Sequence, residues 1–213
     1  MSLNFIIIPV TAFQQNCTLL FSETDRKTAI IDPGGDIDLI IQQIETHKLI
    51  PEKIWLTHGH IDHVGGATAL SNQLNLPIEG PHIDDDFWLQ GLTEQAEAFG
   101  FRPCPPLIPD RWLNDGDTLT LAGESIRVIH TPGHTPGHVI FFIESIRLAL
   151  VGDVLFNGSI GRTDFPKGNY ATLIDSITQK LWPLGEDIRF IPGHGPMSDF
   201  GYEMKHNPFV KSS

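Results

Sequence analysis

The sequence predicts an α/β (α+β) fold, a four-layer αββα sandwich in which two packed β-sheets carry helices on their outer faces. Short apolar runs bounded by glycine, proline, asparagine or aspartate recur along the chain, as expected for strands. Helix-like stretches lie between these runs, so each half of the chain contains strands, a strand–helix unit and a histidine-bearing loop. Such an order buries both sheets between helices.

The individual elements follow from local patterns. Strands are predicted at 5–8, 18–21, 28–31, 53–56, 125–130, 138–143, 148–151 and 189–191. Helices are predicted at 36–47, 63–75, 84–99 and 170–181, the first of them with isoleucines at helical spacing. The proline-rich segment 100–117 is expected to be an irregular surface connection.

The composition is that of a globular protein, which we expect to form one domain over residues 1–213. Apolar residues make up 40% of the chain and charged residues 19%. The net charge of −12 argues against a broad basic surface for nucleic acid.

The beginning of the sequence and its cysteines predict where the protein works. Positions 5–8 are apolar, but the run is too short for a signal peptide or a membrane span and lacks a basic flank. We therefore expect a first buried strand there and no membrane partner. Cys17 and Cys104 lie far apart without a C-x-x-C pairing, which favours a reducing, cytoplasmic compartment. A monomer or small homo-oligomer is expected.

The segment 58–63 carries the strongest chemical signal. It contains His58, His60, Asp62 and His63 directly after a predicted strand. Imidazole and carboxylate are the ligands that borderline cations such as zinc accept. His58 and His60 can point the same way, and the next two ligands fall at the turn into a helix, where they can face a second cation. An isolated histidine usually has another role, but this H-x-H-x-D-H arrangement indicates a metal site.

Three further loops also place a glycine-flanked ligand after a strand. His134 lies in segment 131–137, Asp153 follows the run 148–151, and His194 lies in segment 192–196. Glycine permits close backbone approach and proline stiffens the loop, which suits a fixed ligand geometry. Together with segment 58–63, these loops predict one shared site.

Five histidines and two aspartates exceed the needs of one tetrahedral ion and suit two ions. We therefore expect two divalent metal ions per chain. The ligands divide into His58, His60 and His134 for one ion and Asp62, His63 and His194 for the other, with Asp153 as the bridge.

Neighbouring residues are expected to have other roles. His130 and His138 flank the 131–137 loop and are expected to hydrogen-bond near the site without binding metal. The acidic run 84–86 is expected to form the N-terminal turn of a helix, where negative charge is favourable, rather than a third metal site.

This set of motifs resembles the metal-binding motifs of the metallo-β-lactamase superfamily. The resemblance covers His58-x-His60-x-Asp62-His63, the His134 loop, Gly152-Asp153 and the 192–195 loop, and so spans positions 58–194. Segments 131–137, 152–156, 161–164 and 192–196 look most similar to glyoxalase II-like thioesterases, especially the short bacterial kind. The resemblance implies the αββα fold and supports the division of ligands given above.

The resemblance also implies an activity, the hydrolysis of S-D-lactoylglutathione to D-lactate and glutathione. Members of the family take zinc, iron or manganese, and zinc is the first choice here. Two dications lower the pKa of a bridging water and so provide hydroxide at neutral pH; Asp62 is expected to orient that hydroxide as well as to bind metal. Arg162 occupies the place of a basic residue that helps to hold glutathione in family members, with a surface salt bridge as its alternative role.

Other functions fit the same motifs. Glutathione persulfide dioxygenases share the 161–165 stretch but use one iron, and oxygen uptake would distinguish them. A lactonase-like or other metallo-hydrolase and a non-enzymatic metal store are further alternatives, although seven ligands for two ions leave open positions that a structural site lacks. Longer glyoxalase II enzymes carry a C-terminal helical domain that this sequence is expected to lack, so weaker affinity or another preferred thioester is expected.

Overall fold

Two β-sheets packed face to face form the centre of the computed structural model, which describes residues 2–210. The first half of the chain forms a five-stranded sheet in the order β1-β2-β3-β4-β5. Its strands are β1 (Leu3–Val10), β2 (Gln15–Ser22), β3 (Lys27–Ile31), β4 (Ile50–Trp55) and β5 (Ile78–Glu79).

The second half of the chain forms the other sheet and a short hairpin. The strands are β6 (Thr118–Leu121), β7 (Glu124–His130), β8 (Val139–Ile143), β9 (Leu148–Gly152), β10 (Leu155–Phe156), β11 (Ser159–Ile160), β12 (Arg189–Pro192) and β13 (Ser198–Asp199). Six of them pair in the order β13-β12-β9-β8-β7-β6, while β10 and β11 pair with each other.

Helices cover the outer face of each sheet. They are α1 (Ile37–Thr46), α2 (Ile61–Val64), α3 (Ala67–Leu74), α4 (Asp86–Gln90), α5 (Leu92–Phe99), α6 (Tyr170–Asp175) and α7 (Phe200–His206). Short 3₁₀ helices span Ile83–Asp85, Glu144–Ile146 and Trp182–Leu184, and α6 continues as a π-helix over Ser176–Leu181. No helix within 2–210 is long and apolar enough to cross a membrane.

Three apolar layers hold the sandwich together. One lies between the first sheet and its helices and includes Ile40 of α1 and Leu70 of α3. The middle layer lies between the sheets, where Trp55 contacts Phe141 with ring centroids 5.5 Å apart. The last layer packs the second sheet against the segment that includes Leu173. The helix–sheet–sheet–helix order predicted from the sequence is therefore confirmed.

Strand direction brings the ends of several strands to one edge of the sandwich. β3 and β4 are parallel, as are β9 and β12, and β7 runs in the same direction as β9 because each is antiparallel to β8. Functional loops in α/β proteins gather at the carboxyl ends of such strands. The loops that follow β3, β4, β7, β9 and β12 all leave from these ends.

The observed elements correct several predicted ones. The strand at 5–8 is longer and is an edge strand, and Ile6 and Ile7 stay partly exposed rather than buried. The predicted helix 63–75 is divided at Gly65 and Gly66, and the helix 84–99 is divided at Gly91, because glycine weakens helix interiors.

Some elements were not predicted. The strand β6 alternates exposed and buried residues but has only four of them, and β5, β10, β11 and β13 have two each, too few for a periodic pattern. The helix α7 was also missed. The prediction of one domain over 1–213 stays a prediction, and its positions 1 and 211–213 lie outside the described residues.

We expect Phe141→Ala to lower the free energy of unfolding by about 3–5 kcal/mol, because it removes a fully buried ring from the layer between the sheets. The control Ile50→Ala removes a side chain that is 54% exposed at the start of β4, and should change the stability by no more than about 0.5 kcal/mol. Denaturant titration measures both. Equal losses of stability in the two variants would show that the Phe141 ring does not hold the sheets together.

Candidate metal centre

Three histidine nitrogens meet at one end of the sandwich. His58 and His60 lie in the loop after β4, and His134 lies in the loop after β7. His60 Nδ1 lies 3.1 Å from His58 Nε2 and 3.0 Å from His134 Nε2. All three residues are buried. We call this group the first triad.

A second group lies beside the first. It comprises Asp62 and His63 on α2 and His194 in the loop after β12, and we call it the second triad. His194 Nε2 lies 3.1 Å from Asp62 Oδ2, which is 3.8 Å from His63 Nε2. The His63 side chain is fully buried, whereas that of His194 is 28% exposed. The second triad therefore lies on the open side of the site.

The carboxylate of Asp153 lies between the triads. Its Oδ1 is 3.3 Å from His63 Nε2, and its Oδ2 is 3.6 Å from His134 Nε2 and 3.7 Å from His194 Nε2. One carboxylate thus reaches nitrogens of both triads. This is the position that a bridging ligand requires.

Four of the five histidines use their second nitrogen to fix the ring. His134 Nδ1–H donates to the carbonyl of Arg162 over 2.7 Å, and His194 Nδ1–H donates to the carbonyl of Phe13 over 3.1 Å. His63 Nδ1–H donates to Asp32 Oδ2 over 2.9 Å. Each of these bonds directs the other nitrogen at the site, where it presents a lone pair once the imidazole is neutral.

His58 is fixed through a relay to the same aspartate. Its Nδ1 lies 3.0 Å from Thr57 Oγ1, and that hydroxyl donates to Asp32 Oδ2 over 2.6 Å. Because the hydroxyl proton is used on Asp32, His58 Nδ1–H must donate and His58 Nε2 must accept. Asp32 therefore orients one ligand of each triad.

The residues fit metal ions. Two nitrogens bound ~2.0–2.1 Å from a tetrahedral ion lie ~3.3–3.4 Å apart, close to the 3.0 and 3.1 Å spacings of the first triad. At the second triad and the adjoining Asp153, the buried atoms His63 Nε2 and Asp153 Oδ1 lack hydrogen-bond partners within the described part of the chain. Buried polar atoms without partners are costly. A cation bound between them removes that cost.

A second buried aspartate joins the loops of the first triad. Asp85 accepts hydrogen bonds from the Gly59 amide over 2.9 Å, from Thr135 Oγ1 over 2.8 Å and from the Gly137 amide over 2.6 Å. It thereby connects the loop of His58 and His60 to the loop of His134. Burial raises the pKa of Asp85 to about 6, although these hydrogen bonds oppose the shift.

Glycine is required at two points where the backbone passes the ligands. Gly152 has a φ of 47° and lies against His138 and Thr57. At Gly193, a Cβ atom would collide with Asp153 Oδ1. A side chain at either position would displace Asp153 or its neighbours.

The two triads differ in charge. Burial lowers the pKa values of His58 and His60 well below the usual histidine value, and it lowers that of His134 as well. Burial also acts against protonation of His63, but the carboxylates of Asp153 and Asp62 outweigh it and raise the His63 pKa well above its usual value.

The pKa shifts of His194 and Asp153 agree with this difference between the triads. The pKa of His194 is raised because its bond to Asp62 outweighs partial burial. Burial disfavours the charged form of Asp153, but the surrounding histidines outweigh it and lower its pKa. Without metal, the first triad is therefore neutral near pH 7 and the second triad holds protons.

All seven predicted ligands thus lie together, in the two groups predicted for them; that they bind metal stays a prediction. Arg162 is exposed and forms two hydrogen bonds with Asp164, at 2.7 and 2.6 Å. His138 is buried, and its Nε2 accepts from the Asp153 amide over 3.1 Å. His130 Nε2–H donates to the carbonyl of Pro136.

Two supporting residues were missed from the sequence. Asp32 begins an Asp-Pro-Gly-Gly segment directly after β3, which is the same arrangement that indicated the other ligands. The run 84–86 was correctly placed at a helix start. However, Asp85 is buried and accepts hydrogen bonds from loops that lie far from it in sequence. Nothing in the local sequence distinguishes it from Asp84 and Asp86.

Residues 10–194 match the family model of the metallo-beta-lactamase superfamily. The hydroxyacylglutathione hydrolase GloC of Haemophilus influenzae is 48% identical over 211 residues, covering 99% of each chain. The probable metallo-hydrolase YqgX of Bacillus subtilis is 36% identical and covers 95% of each chain.

Two solved structures are also similar to the structure of this chain. The crystal structure of BLEG-1 B3 metallo-beta-lactamase has a TM-score of 0.90 at 36% identity and covers 98% of this chain and 100% of that one. The crystal structure of TTHA1623 in a di-iron-bound form has a TM-score of 0.87 at 36% identity, with 96% and 100% covered.

We expect Asp32→Asn to weaken metal binding by about 10–100-fold, the usual effect of removing a carboxylate that orients a ligand histidine. The affinity is measured by competition with a chelator of known strength. Asp38→Asn is the matched control, because Asp38 is an exposed carboxylate on α1. An unchanged affinity in Asp32→Asn would contradict the role of Asp32.

We also expect metal binding to release protons in two distinct ways. Filling the first triad near pH 7 should release few protons, because its histidines are already neutral, whereas filling the second triad should displace the protons of His63 and His194. The number of protons released at the second triad should decrease as the pH rises through its raised pKa values. The affinity of the second triad for a metal ion should increase over the same range. Calorimetric titration in buffers of different ionisation enthalpy measures the number of protons released by each ion. Heats independent of the buffer for both ions would contradict the assignment.

Proposed function

The chain belongs to the metallo-beta-lactamase superfamily, and we propose that it is a metal-dependent thioester hydrolase that cleaves S-D-lactoylglutathione into D-lactate and glutathione. The observation that carries the proposal is the pair of triads joined by Asp153, with its open side at the half-buried His194. The 48% identity to a hydroxyacylglutathione hydrolase over the whole chain supports the substrate.

We propose two divalent ions per chain, with zinc as the first choice and iron or manganese as alternatives. The first triad would hold one ion and the second triad the other, and Asp153 would contact both. Bound divalent ions supply Lewis acidity, which lowers the pKa of water and polarises a carbonyl oxygen. Imidazole and carboxylate suit all three metals, so the ligand set does not select among them.

The protein side chains position the reaction. In the second triad, Asp62 contacts His194 on the open side, where its carboxylate can also accept a proton from an attacking water. Asp32, Thr57, Arg162 and Phe13 keep the ligand rings from rotating. The leaving thiolate needs no dedicated acid, because thiol pKa values lie near ~8.5.

Arg162 is the proposed contact for a glutathione carboxylate. Its guanidinium is exposed at the His134 loop but is held by Asp164, whose pKa the hydrogen bond from Arg162 lowers to about 2. A substrate carboxylate would therefore have to displace Asp164. The backbone of Arg162 has a separate role, because its carbonyl orients His134.

The hydrolysis of β-lactams is the second candidate, since BLEG-1 has the same fold and 36% identity. We give priority to the thioester because the GloC relative is more similar in sequence, at 48% identity. The similarity to ETHE1 from Myxococcus xanthus, at 24% identity, shows the fold alone. An assay of oxygen uptake with glutathione persulfide therefore decides the persulfide dioxygenase alternative.

Cys17 and Cys104 are both free and buried, which supports the proposal that the protein works in a reducing compartment such as the cytoplasm. The substrate is a small molecule, and the net charge of −12 opposes nucleic acid as a partner. We propose a monomer or a small homo-oligomer.

We expect the purified holoenzyme to hydrolyse S-D-lactoylglutathione with two metal ions bound per chain, both measured in the same sample. His58→Ala removes a ligand of the first triad and should reduce kcat/KM by a factor on the order of 10³ together with the metal content. His206→Ala is the matched control, because His206 is an exposed histidine at the end of α7.

The other outcomes distinguish the alternatives. Oxygen uptake with glutathione persulfide and one iron per chain would replace the proposed function with the dioxygenase. Turnover of a β-lactam but not of the thioester would retain the hydrolase and change its substrate. If the protein binds two metal ions but turns over neither the thioester nor a β-lactam, both proposed substrates are wrong.

A further inference from the structure

A row of aromatic rings borders the open side of the metal centre. It consists of Trp88, Phe165, Phe99 and Phe13, and we call it the aromatic arch. Successive ring centroids lie 6.2, 6.4 and 6.2 Å apart along this order, all in edge-to-face contact. The rings come from three parts of the chain that are distant in sequence, with Trp88 and Phe99 both on the neighbouring helices α4 and α5. Their continuity is therefore a product of the fold.

The arch extends from one triad to the other. At one end, the His60 ring lies 4.6 Å from Trp88 and 5.1 Å from Phe165. At the other end, the carbonyl of Phe13 accepts the hydrogen bond from His194 Nδ1. A molecule bound with its reacting atoms at the triads therefore has the arch directly beside it.

The outer half of the arch is exposed although it is apolar. Phe99 is 45% exposed and Phe13 is 44% exposed, and Phe13 rests on Phe101 at a centroid distance of 5.3 Å. Phe101 itself is partly buried, so the two exposed rings stand on an ordered base. Contiguous exposed apolar surface beside a polar cleft is typical of a binding site.

The charges around the arch indicate which half of a thioester it fits. Glutathione carries carboxylates, which need cations with free hydrogen-bonding capacity. Arg162, the proposed contact for a glutathione carboxylate, lies over the Phe165 ring at 4.1 Å, so the glutathione half is expected at the Trp88–Phe165 end of the arch. Lys167 lies over the Phe87 ring at 3.8 Å. The exposed rings of Phe99 and Phe13, at the other end of the arch, offer only apolar and aromatic contact, which suits the acyl half.

From this geometry, and resting on the proposed thioester hydrolysis, we propose that the aromatic arch binds the acyl side chain of the substrate. The preferred substrates are then glutathione thioesters of 2-hydroxy acids with an aromatic or large apolar side chain. The lactoyl group presents only a methyl group, which covers little of the arch. Hydrophobic stabilisation grows with the apolar area that is buried, so a larger side chain gains more.

The test compares two substrates that differ only in the acyl side chain, S-D-lactoylglutathione and S-D-phenyllactoylglutathione. Both carry the same hydroxyl and the same thiol, and the added phenyl group lies one carbon beyond the hydroxyl-bearing carbon. We expect kcat/KM for the phenyllactoyl substrate to be about tenfold higher or more. A ratio of one or below would overturn the proposal.

Variants assign the preference to the arch. Phe99→Ala should reduce the ratio of the two kcat/KM values by about tenfold, and Phe99→Leu should retain part of it because it keeps apolar area. Ile50→Ala is the control, since Ile50 is equally apolar and exposed but lies at the end of β4 opposite the His58 loop. A ratio that stays unchanged in Phe99→Ala would overturn the proposal.

A binding measurement separates this proposal from the proposed function. Two thioethers that cannot be hydrolysed, S-(3-phenylpropyl)glutathione and S-methylglutathione, are titrated into the metal-loaded protein. We expect the phenylpropyl compound to bind about tenfold more tightly, and Phe99→Ala to remove that difference. If neither thioester is turned over, the thioesterase function fails, and the ratio of the two Kd values still decides the role of the arch.

The arch has a rival occupant, a second copy of this chain. Sedimentation of the wild type and of Phe99→Ala distinguishes it from an acyl group. We expect the same mass for both proteins, with the change confined to substrate preference. A loss of oligomers in Phe99→Ala with an unchanged ratio of Kd values would show that the rings pack against another copy, and would overturn the proposal.

Discussion

The metal centre depends on the buried carboxylate of Asp32. Its Oδ2 accepts from His63 Nδ1 and from Thr57 Oγ1, and the Thr57 hydroxyl in turn accepts from His58. Its Oδ1 accepts from the Thr57 amide over 2.8 Å. One group thus sets the backbone where the loop leaves β4 and the ring orientation of a ligand in each triad. A carboxyl group buried to this degree requires such a full set of hydrogen-bond partners.

Asp85 has the corresponding role on the far side of the first triad. It joins the turn around Gly59 to the turn around Gly137, although the two turns belong to different sheets. The two buried carboxylates therefore hold together loops that have no sequence relation. Rigid support of this kind allows ligand atoms to stay close to one another before any ion is bound.

The two triads are chemically unequal. Histidines of the first triad are deeply buried and neutral near pH 7, whereas the second triad includes the Asp62 carboxylate and the more exposed His194. In the proposed function, substrate reaches the centre on the side of the second triad, where the aromatic arch ends at Phe13. The closed side of the site thus provides fixed ligands, and the open side provides both the reacting groups and the surface that selects the acyl chain.

The αββα order and the positions of the seven candidate ligands were predictable from the sequence, because strands leave periodic apolar runs. The candidates follow these runs in glycine-containing loops or, for Asp62 and His63, on the short helix α2 directly after such a loop. The division into two triads also agreed with the geometry. The two-residue strands were not predictable, since they are too short for a periodic pattern, whereas the breaks at Gly65 and Gly91 were missed although glycine weakens helix interiors.

Tertiary structure alone decided which residues support and border the site. Asp85 lies beside two other aspartates and differs from them only through loops that reach it from elsewhere. The contact of Phe13 with Phe99 likewise follows from the placement of distant segments. A ligand is marked locally by its residue type and its strand-end loop, whereas support and substrate contact arise from distances between distant segments, which local patterns do not contain.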